Sequence, residues 1–110
     1  MKQVKRYDVF LADLNPTVGS EKKKTRPVVI ISRDEMNRHL ETVVICPLTT
    51  KLHPGWRSRI QVVVGGKDAE IAVDQIRTIS KKRLIKKIDV IDGDTALRLR
   101  LLISEMYGET

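Results

Sequence analysis

Apolar residues in this chain fall into short, dense runs with a period of two, separated by turn residues, and only the last stretch switches to a helical period. Tyr7–Leu14 is apolar on both alternating faces, the pattern of a strand covered on two sides. Pro27–Ile31 is a short β-branched run, and Arg26, which precedes the proline, is biased towards an extended backbone. Arg33–Leu40 is polar enough for a short surface helix or turn. Thr42–Leu48 reads as a third strand, and Pro47, which cannot donate to a ladder, predicts an edge or a bulge there. Lys51–Ser58 is a loop around Pro54-Gly55, Arg59–Val64 resumes the alternation, and Gly65–Asp68 is a turn. Glu70–Ile79 is strand-like with an apolar phase that slips between Val73 and Ile76, which predicts a bulge near Asp74-Gln75. Lys86–Ile91 closes the set of strands.

The helix follows directly. Asp92 is suited to the N-cap, Asp94 complements the positive end of the dipole, Thr95–Met106 carries the apolar positions, and Gly108 stops the run. Leucines at Leu97, Leu99, Leu101 and Leu102 spread over more of the surface than one buried face needs, which predicts a protein–protein surface. Short strands in a row followed by one helix predict a small, strongly bent sheet or barrel closed by that helix.

One connection is too long for a plain hairpin. Asn15–Arg26 opens on a turn signal at Asn15-Pro16, then places Gly19, Ser20, Glu21, Lys22, Lys23, Lys24 and Arg26 in quick succession. A charged loop whose ends are held by strands is a common place to build a site. At 110 residues the chain is expected to form one domain. Its net charge of +7 and pI near 9.8 favour an anionic partner, with nucleic acid leading. No run approaches the roughly 20 apolar residues of a membrane span, and the N-terminus lacks a signal-peptide core. Cys46 is the only cysteine, so no intrachain disulfide forms, which fits a cytoplasmic setting.

His39 and His53 stand apart from any metal-ligand spacing and read as exposed loop histidines. No phosphate loop, dinucleotide fingerprint or serine elbow is present, so neither metal nor cofactor is expected. The remaining chemistry lies in Ser20, Glu21, Arg26, Thr49, Thr50, Asp74, Gln75 and Arg77, at strand ends, in loops or at the expected bulge. Each has an ordinary structural explanation. Arg26 suits a surface salt bridge, Thr49 and Thr50 suit turn capping, Asp74-Gln75 suits backbone groups freed by a bulge, and Lys22–Lys24 suits a solvated face.

Their combination is more specific. Asp13–Glu21, Thr25–Val29, Pro47–Thr50 and Val73–Ile79, in order and at suitable spacing, resemble the MazF/PemK family of toxins, the endoribonuclease members of bacterial type II toxin–antitoxin pairs. The resemblance runs from about Val4 to the terminal helix. It implies an SH3-like barrel with a C-terminal helix, a homodimer with an RNA groove across the interface, and metal-independent cutting of single-stranded RNA at short sequences. It also implies a cognate antitoxin of the MazE/PemI kind. Arg26 and Thr49 match the family's catalytic arginine and threonine. Ser20 and Glu21 match the active-site loop, and Asp74-Gln75 the strand flooring the groove. With Lys22, Lys23, Lys24, Thr50 and Arg77, these form the expected substrate contacts. The chain departs from some members, which carry histidine in place of Ser20 and arginine in place of Ala72; it also has Lys22–Lys24 where a glutamine and a glycine are usual.

The chemistry of RNA cleavage fits this set. The 2′-OH supplies the nucleophile, so a protein must remove one proton, stabilise a dianionic phosphorane and protonate the 5′-oxygen. The fork of Arg26 suits the phosphorane, and Thr49 offers a second donor. Arginine hardly ever gives up its proton, so Glu21 is the better base by chemistry, though the base stays open at this point. The alternative from another class is a non-enzymatic toxin resembling CcdB, which binds DNA gyrase through its terminal helix and needs no Arg26–Thr49 pair. A plain single-stranded RNA-binding module fits less well, because Tyr7, Phe10, Trp56 and Tyr107 are few for a stacking surface.

Overall fold

The computed structural model describes residues 3–15 and 25–109. Seven antiparallel strands form one curled sheet: β1 (Asp8–Asp13), β2 (Thr25–Ile30), β3 (Thr42–Thr49), β4 (Arg59–Val64), β5 (Lys67–Ala72), β6 (Arg77–Ser80) and β7 (Leu84–Val90). The order is β4-β5-β3-β2-β1-β7, with β6 also paired to β3. A short helix α1 (Asp34–His39) joins β2 to β3, and the long helix α2 (Gly93–Tyr107) ends the chain. The mainly β architecture with a C-terminal helix is the one the apolar pattern predicts.

The doubly apolar strands have a plain cause. Val9, Val29, Cys46 and Leu48 belong to one core, which Ala96 and Leu99 of α2 cover. Their neighbours Phe10, Val28, Ile30 and Ile45 belong to a second core with Ile79 and Leu84. Alternating side chains point to opposite faces, so a sheet buried on both must be apolar at every position. The central strands are so over Val9–Ala12, Pro27–Ile30 and Val43–Leu48.

Four expectations change. The strand expected over Glu70–Ile79 is two strands, separated by a single 3₁₀ turn at Val73–Gln75. The turn, closed by the Ile76 amide donating to the Val73 carbonyl at 3.3 Å, takes the chain away from β4 and from the end of β3 to its first half, Thr42–Ile45. This accounts for the phase slip without a bulge. The expected turn at Gly65–Asp68 is shorter: Gly65 and Gly66 take φ of 58° and 77° and Lys67 already pairs with Val64. Two central residues at positive φ make the tight hairpin that glycine permits.

Pro47 is not at a sheet edge either. β3 pairs with β6 through Ile45 and with β5 from Leu48, so Pro47 sits where one partner gives way to the next. A missing N–H is tolerated at such a gap. On α2, Leu99 is fully buried rather than part of the surplus strip, while Leu97 and Leu101 stay exposed. Asp92 caps the helix as expected, accepting from the Thr95 amide at 2.8 Å.

This orientation of α2 is testable by unfolding in urea. Leu99→Ala should cost about 2–5 kcal/mol by leaving a cavity in the core. Leu101→Ala, measured on dilute protein, should stay within about 0.5 kcal/mol.

Candidate active site

The β2–β3 ladder pairs Ile30 with Ile45, Val29 with Cys46 and Val28 with Pro47, and stops there. Continued by two residues, that register would set Arg26 opposite Thr49. Instead the strands part, and a cleft of about 230 Å³ opens between them, lined by Thr25, Arg26, Pro27, Leu48, Thr49, Thr50 and Ala69. A second depression of about 330 Å³ lies on the other side of Arg26, lined by Leu14, Pro47, Gln75 and Arg77. Arg26 lines both. The structure thus brings together five of the expected residues: Arg26, Thr49, Thr50, Gln75 and Arg77.

Among the described residues no carboxylate lines either depression. Two guanidinium groups and three threonine hydroxyls without a neighbouring acid make a place suited to a phosphate, since Arg presents a planar fork of donors. The Thr49 hydroxyl is oriented as well. Its oxygen accepts from the Lys51 amide at 3.1 Å, which occupies one lone pair and leaves the proton to donate elsewhere.

Ser20, Glu21 and Lys22–Lys24 lie outside the described residues. The base of their loop is fixed on both sides. Asp13 pairs with Thr25 across β1 and β2, and Arg83 donates to the carbonyls of Asp13 and Asn15 at 3.1 and 2.5 Å. The segment that carries them therefore springs from a clamped pair of strand ends beside Arg26.

Asp74 is placed differently from Gln75. Its carboxylate accepts from Arg59 Nε at 2.8 Å rather than lining either depression. Burial pushes its pKa up, but the Arg59 hydrogen bond, its own backbone amide, the Ser58 hydroxyl and the Arg59 charge together hold it below the usual carboxylate range.

Arg59 leads to a cluster that the sequence does not announce. Glu70 is completely buried. Its Oε1 accepts from the His53 amide at 2.6 Å and Gln61 Nε2 at 2.8 Å. Its Oε2 accepts from Arg59 Nη1 at 2.6 Å and faces His53 Nδ1 at 3.3 Å. Burial alone would raise its pKa, but the His53 amide, Gln61, Arg59 and the His53 ring together lower it to about 2. A carboxylate so fully engaged is a poor proton acceptor.

His53 is thereby not the exposed histidine expected: it is partly buried, and its ring stacks on Trp56 at 3.9 Å and 21°. The Arg59 guanidinium lies 4.7 Å from the Trp56 ring centre. The one sequence signal for this cluster is a glutamate inside the apolar run Ala69–Val73. Cys46, buried, has its thiol pushed up to about 12, chiefly by burial, and is inert at neutral pH.

The sign of the Glu70 shift gives a pH prediction. A depressed pKa contributes stability above the ordinary value of about 4.3, and that contribution is lost as pH falls towards 2. Glu70→Gln should be less stable than the native chain at pH 7 and show a flatter loss of stability between about pH 4.5 and 2. Thermal unfolding across that range measures it.

Similar folds are known. MazF-mt6 of Mycobacterium tuberculosis superposes with a TM-score of 0.78 at 24% identity, covering 94% of this chain and 98% of that one. A mycobacterial endoribonuclease in complex with its cognate antitoxin gives 0.81 at 20%, covering 97% of each. MazF from Deinococcus radiodurans gives 0.82 at 16%, covering 99% and 100%. These likenesses establish the fold. Residues 5–107 match the model of the PemK-like, MazF-like toxins of type II toxin–antitoxin systems, and the chain belongs to that family.

Proposed function

We propose that the protein is the toxin of a type II pair and acts as a sequence-specific endoribonuclease on single-stranded RNA, with no metal in the reaction. The observation that carries this reading is the cleft between the parted ends of β2 and β3, with Arg26 on one wall and Thr49 on the other. The family assignment and a fold shared with a mycobacterial endoribonuclease support it.

The 2′-OH of the nucleotide before the cut attacks the adjacent phosphorus, and the 5′-oxygen leaves. Arg26 donates to two non-bridging oxygens as charge builds on them, and the Thr49 proton, left unused by Lys51, donates to the same group. Glu21 takes the 2′-OH proton, and the departing 5′-oxygen takes a proton from solvent water. Gln75, Arg77, Thr50, Asp74, Ser20 and Lys22–Lys24 hold the flanking RNA. The products are a 2′,3′-cyclic phosphate and a 5′-OH.

Two copies pair through the exposed leucines of α2, with a groove that spans both. A cognate antitoxin, seen with the mycobacterial and Deinococcus relatives, covers the basic groove with an acidic segment.

Cleavage in EDTA, with mapping of both new ends, tests the reaction; activity lost on chelation and restored by a divalent ion refutes it. Arg26→Lys keeps charge but loses the fork, so RNA binding should stay within a few-fold while cleavage falls by roughly a hundredfold or more. Thr49→Ala should behave similarly but more mildly. A normal rate in Arg26→Lys would make Arg26 a mere charge. For the dimer, sedimentation of fully active protein as a monomer at micromolar concentration defeats the claim.

A further inference from the structure

Outside the cleft, the most heavily built polar feature is the cluster on Glu70, and its place in the sheet ties it to the cleft. Thr49 pairs directly with Glu70 across β3 and β5, and Glu70 with Gln61 across β5 and β4. Cross-strand partners share a face. The row that begins with Arg26 and Thr49 therefore continues into the buried carboxylate. From there the carboxylate holds two other segments. Through the His53 amide it fixes the loop that leaves Thr49. Through Arg59, which also binds Asp74, it fixes the 3₁₀ turn that carries Gln75 to the second depression.

The loop is short and its hydrogen bonds run in sequence. Lys51 donates to the Thr49 hydroxyl oxygen, His53 to Glu70, Trp56 to the His53 carbonyl, and Arg59 to the Trp56 carbonyl. Only Leu52 separates the amide that orients Thr49 from the one anchored on Glu70. Loosening the second frees the first. A buried ionic group is weak support for stability, since an apolar replacement of similar shape often serves as well. Its donors, in contrast, demand one arrangement, because each must point at an oxygen.

We propose that Glu70 is a positioning residue of the cleavage site: it acts through the His53–Trp56–Arg59 loop to hold the Thr49 hydroxyl with its proton aimed into the cleft, and through Arg59 and Asp74 to hold Gln75 in the second depression. This rests on the endoribonuclease reading above. Glu70 itself touches no substrate. Its four acceptor sites are all taken by protein donors.

Trp56 is the only tryptophan, so its fluorescence reports the loop without reference to activity. In Glu70→Gln, acrylamide quenching of Trp56 should rise at least twofold. The turnover number for RNA cleavage should fall tenfold or more, and affinity for an oligonucleotide with a 2′-deoxy group at the cut should stay within threefold. The decisive comparison is with Thr49→Ala. If Glu70 acts through Thr49, the double variant should lose little more than the worse single one, whereas losses that multiply overturn the proposal. So does a loosened loop with unchanged turnover, or lost turnover with unaltered quenching. Arg59→Lys, which retains charge and shortens the reach, serves the same cycle if Glu70→Gln does not fold. Failure of the parent reading shows itself separately, as native protein that cuts no RNA while Glu70→Gln still loosens Trp56.

Discussion

Strand β3 changes partners around Pro47, and the site depends on that change. On one side β6 pairs it from Thr42 to Ile45, and on the other β2 pairs it from Ile45 onward. Pro47 is the last residue that β2 reaches, and from Leu48 the other neighbour is β5. A proline is the one residue that gives up nothing where a ladder bond has no taker. Beyond it, Thr49 is held by β5 alone, and Arg26 by β1 alone through its pairing with Ala12. Two strand ends that would otherwise share hydrogen bonds are each braced from the far side. The space between them is therefore a rigid cleft.

The same change explains the curl. One sheet covers two cores because β3 presents Cys46 and Leu48 to the helix side and Val43 and Ile45 to the other. β6 and β5 leave β3 in different directions, so the sheet wraps rather than extends. Helix α2 then seats Ala96 and Leu99 in the core with Leu102, Ile103 and Met106 packed beside them, and keeps Leu97 and Leu101 outside. A leucine pattern counted along the helix overstates the exposed strip, since it does not say which leucine the sheet takes.

Much of this was legible in the chain. Doubly apolar strands, the capped helix and the long charged connection are local patterns, and local periodicity reports local burial. Arg26 and Thr49 could be named because they fall in short motifs. What stayed hidden depends on register between distant segments. Nothing near Glu70 in sequence says that it will face Thr49, or that Arg59, Gln61 and His53 will converge on it. His53 looked isolated because its partner is seventeen residues away. The break at Val73–Gln75 left a trace as a phase slip, but a bulge and a 3₁₀ turn shift the phase alike. Only the loss of β4 as a partner separates them.

Charge completes the argument. The chain carries 21 Lys and Arg against 14 Asp and Glu, yet excess charge does not make a phosphate site unless some cations lack a local acid. Here the partners are distributed unequally. Arg59 is committed to Glu70 and Asp74, Arg57 to Glu105, and Lys87 to Asp8. Arg26 and Arg77 face depressions that hold no carboxylate among the described residues. Binding the acids to Arg59 keeps them from neutralising the cleft, and burial keeps Glu70 from bringing its charge to the surface. The walls of the cleft supply cations and hydroxyl donors.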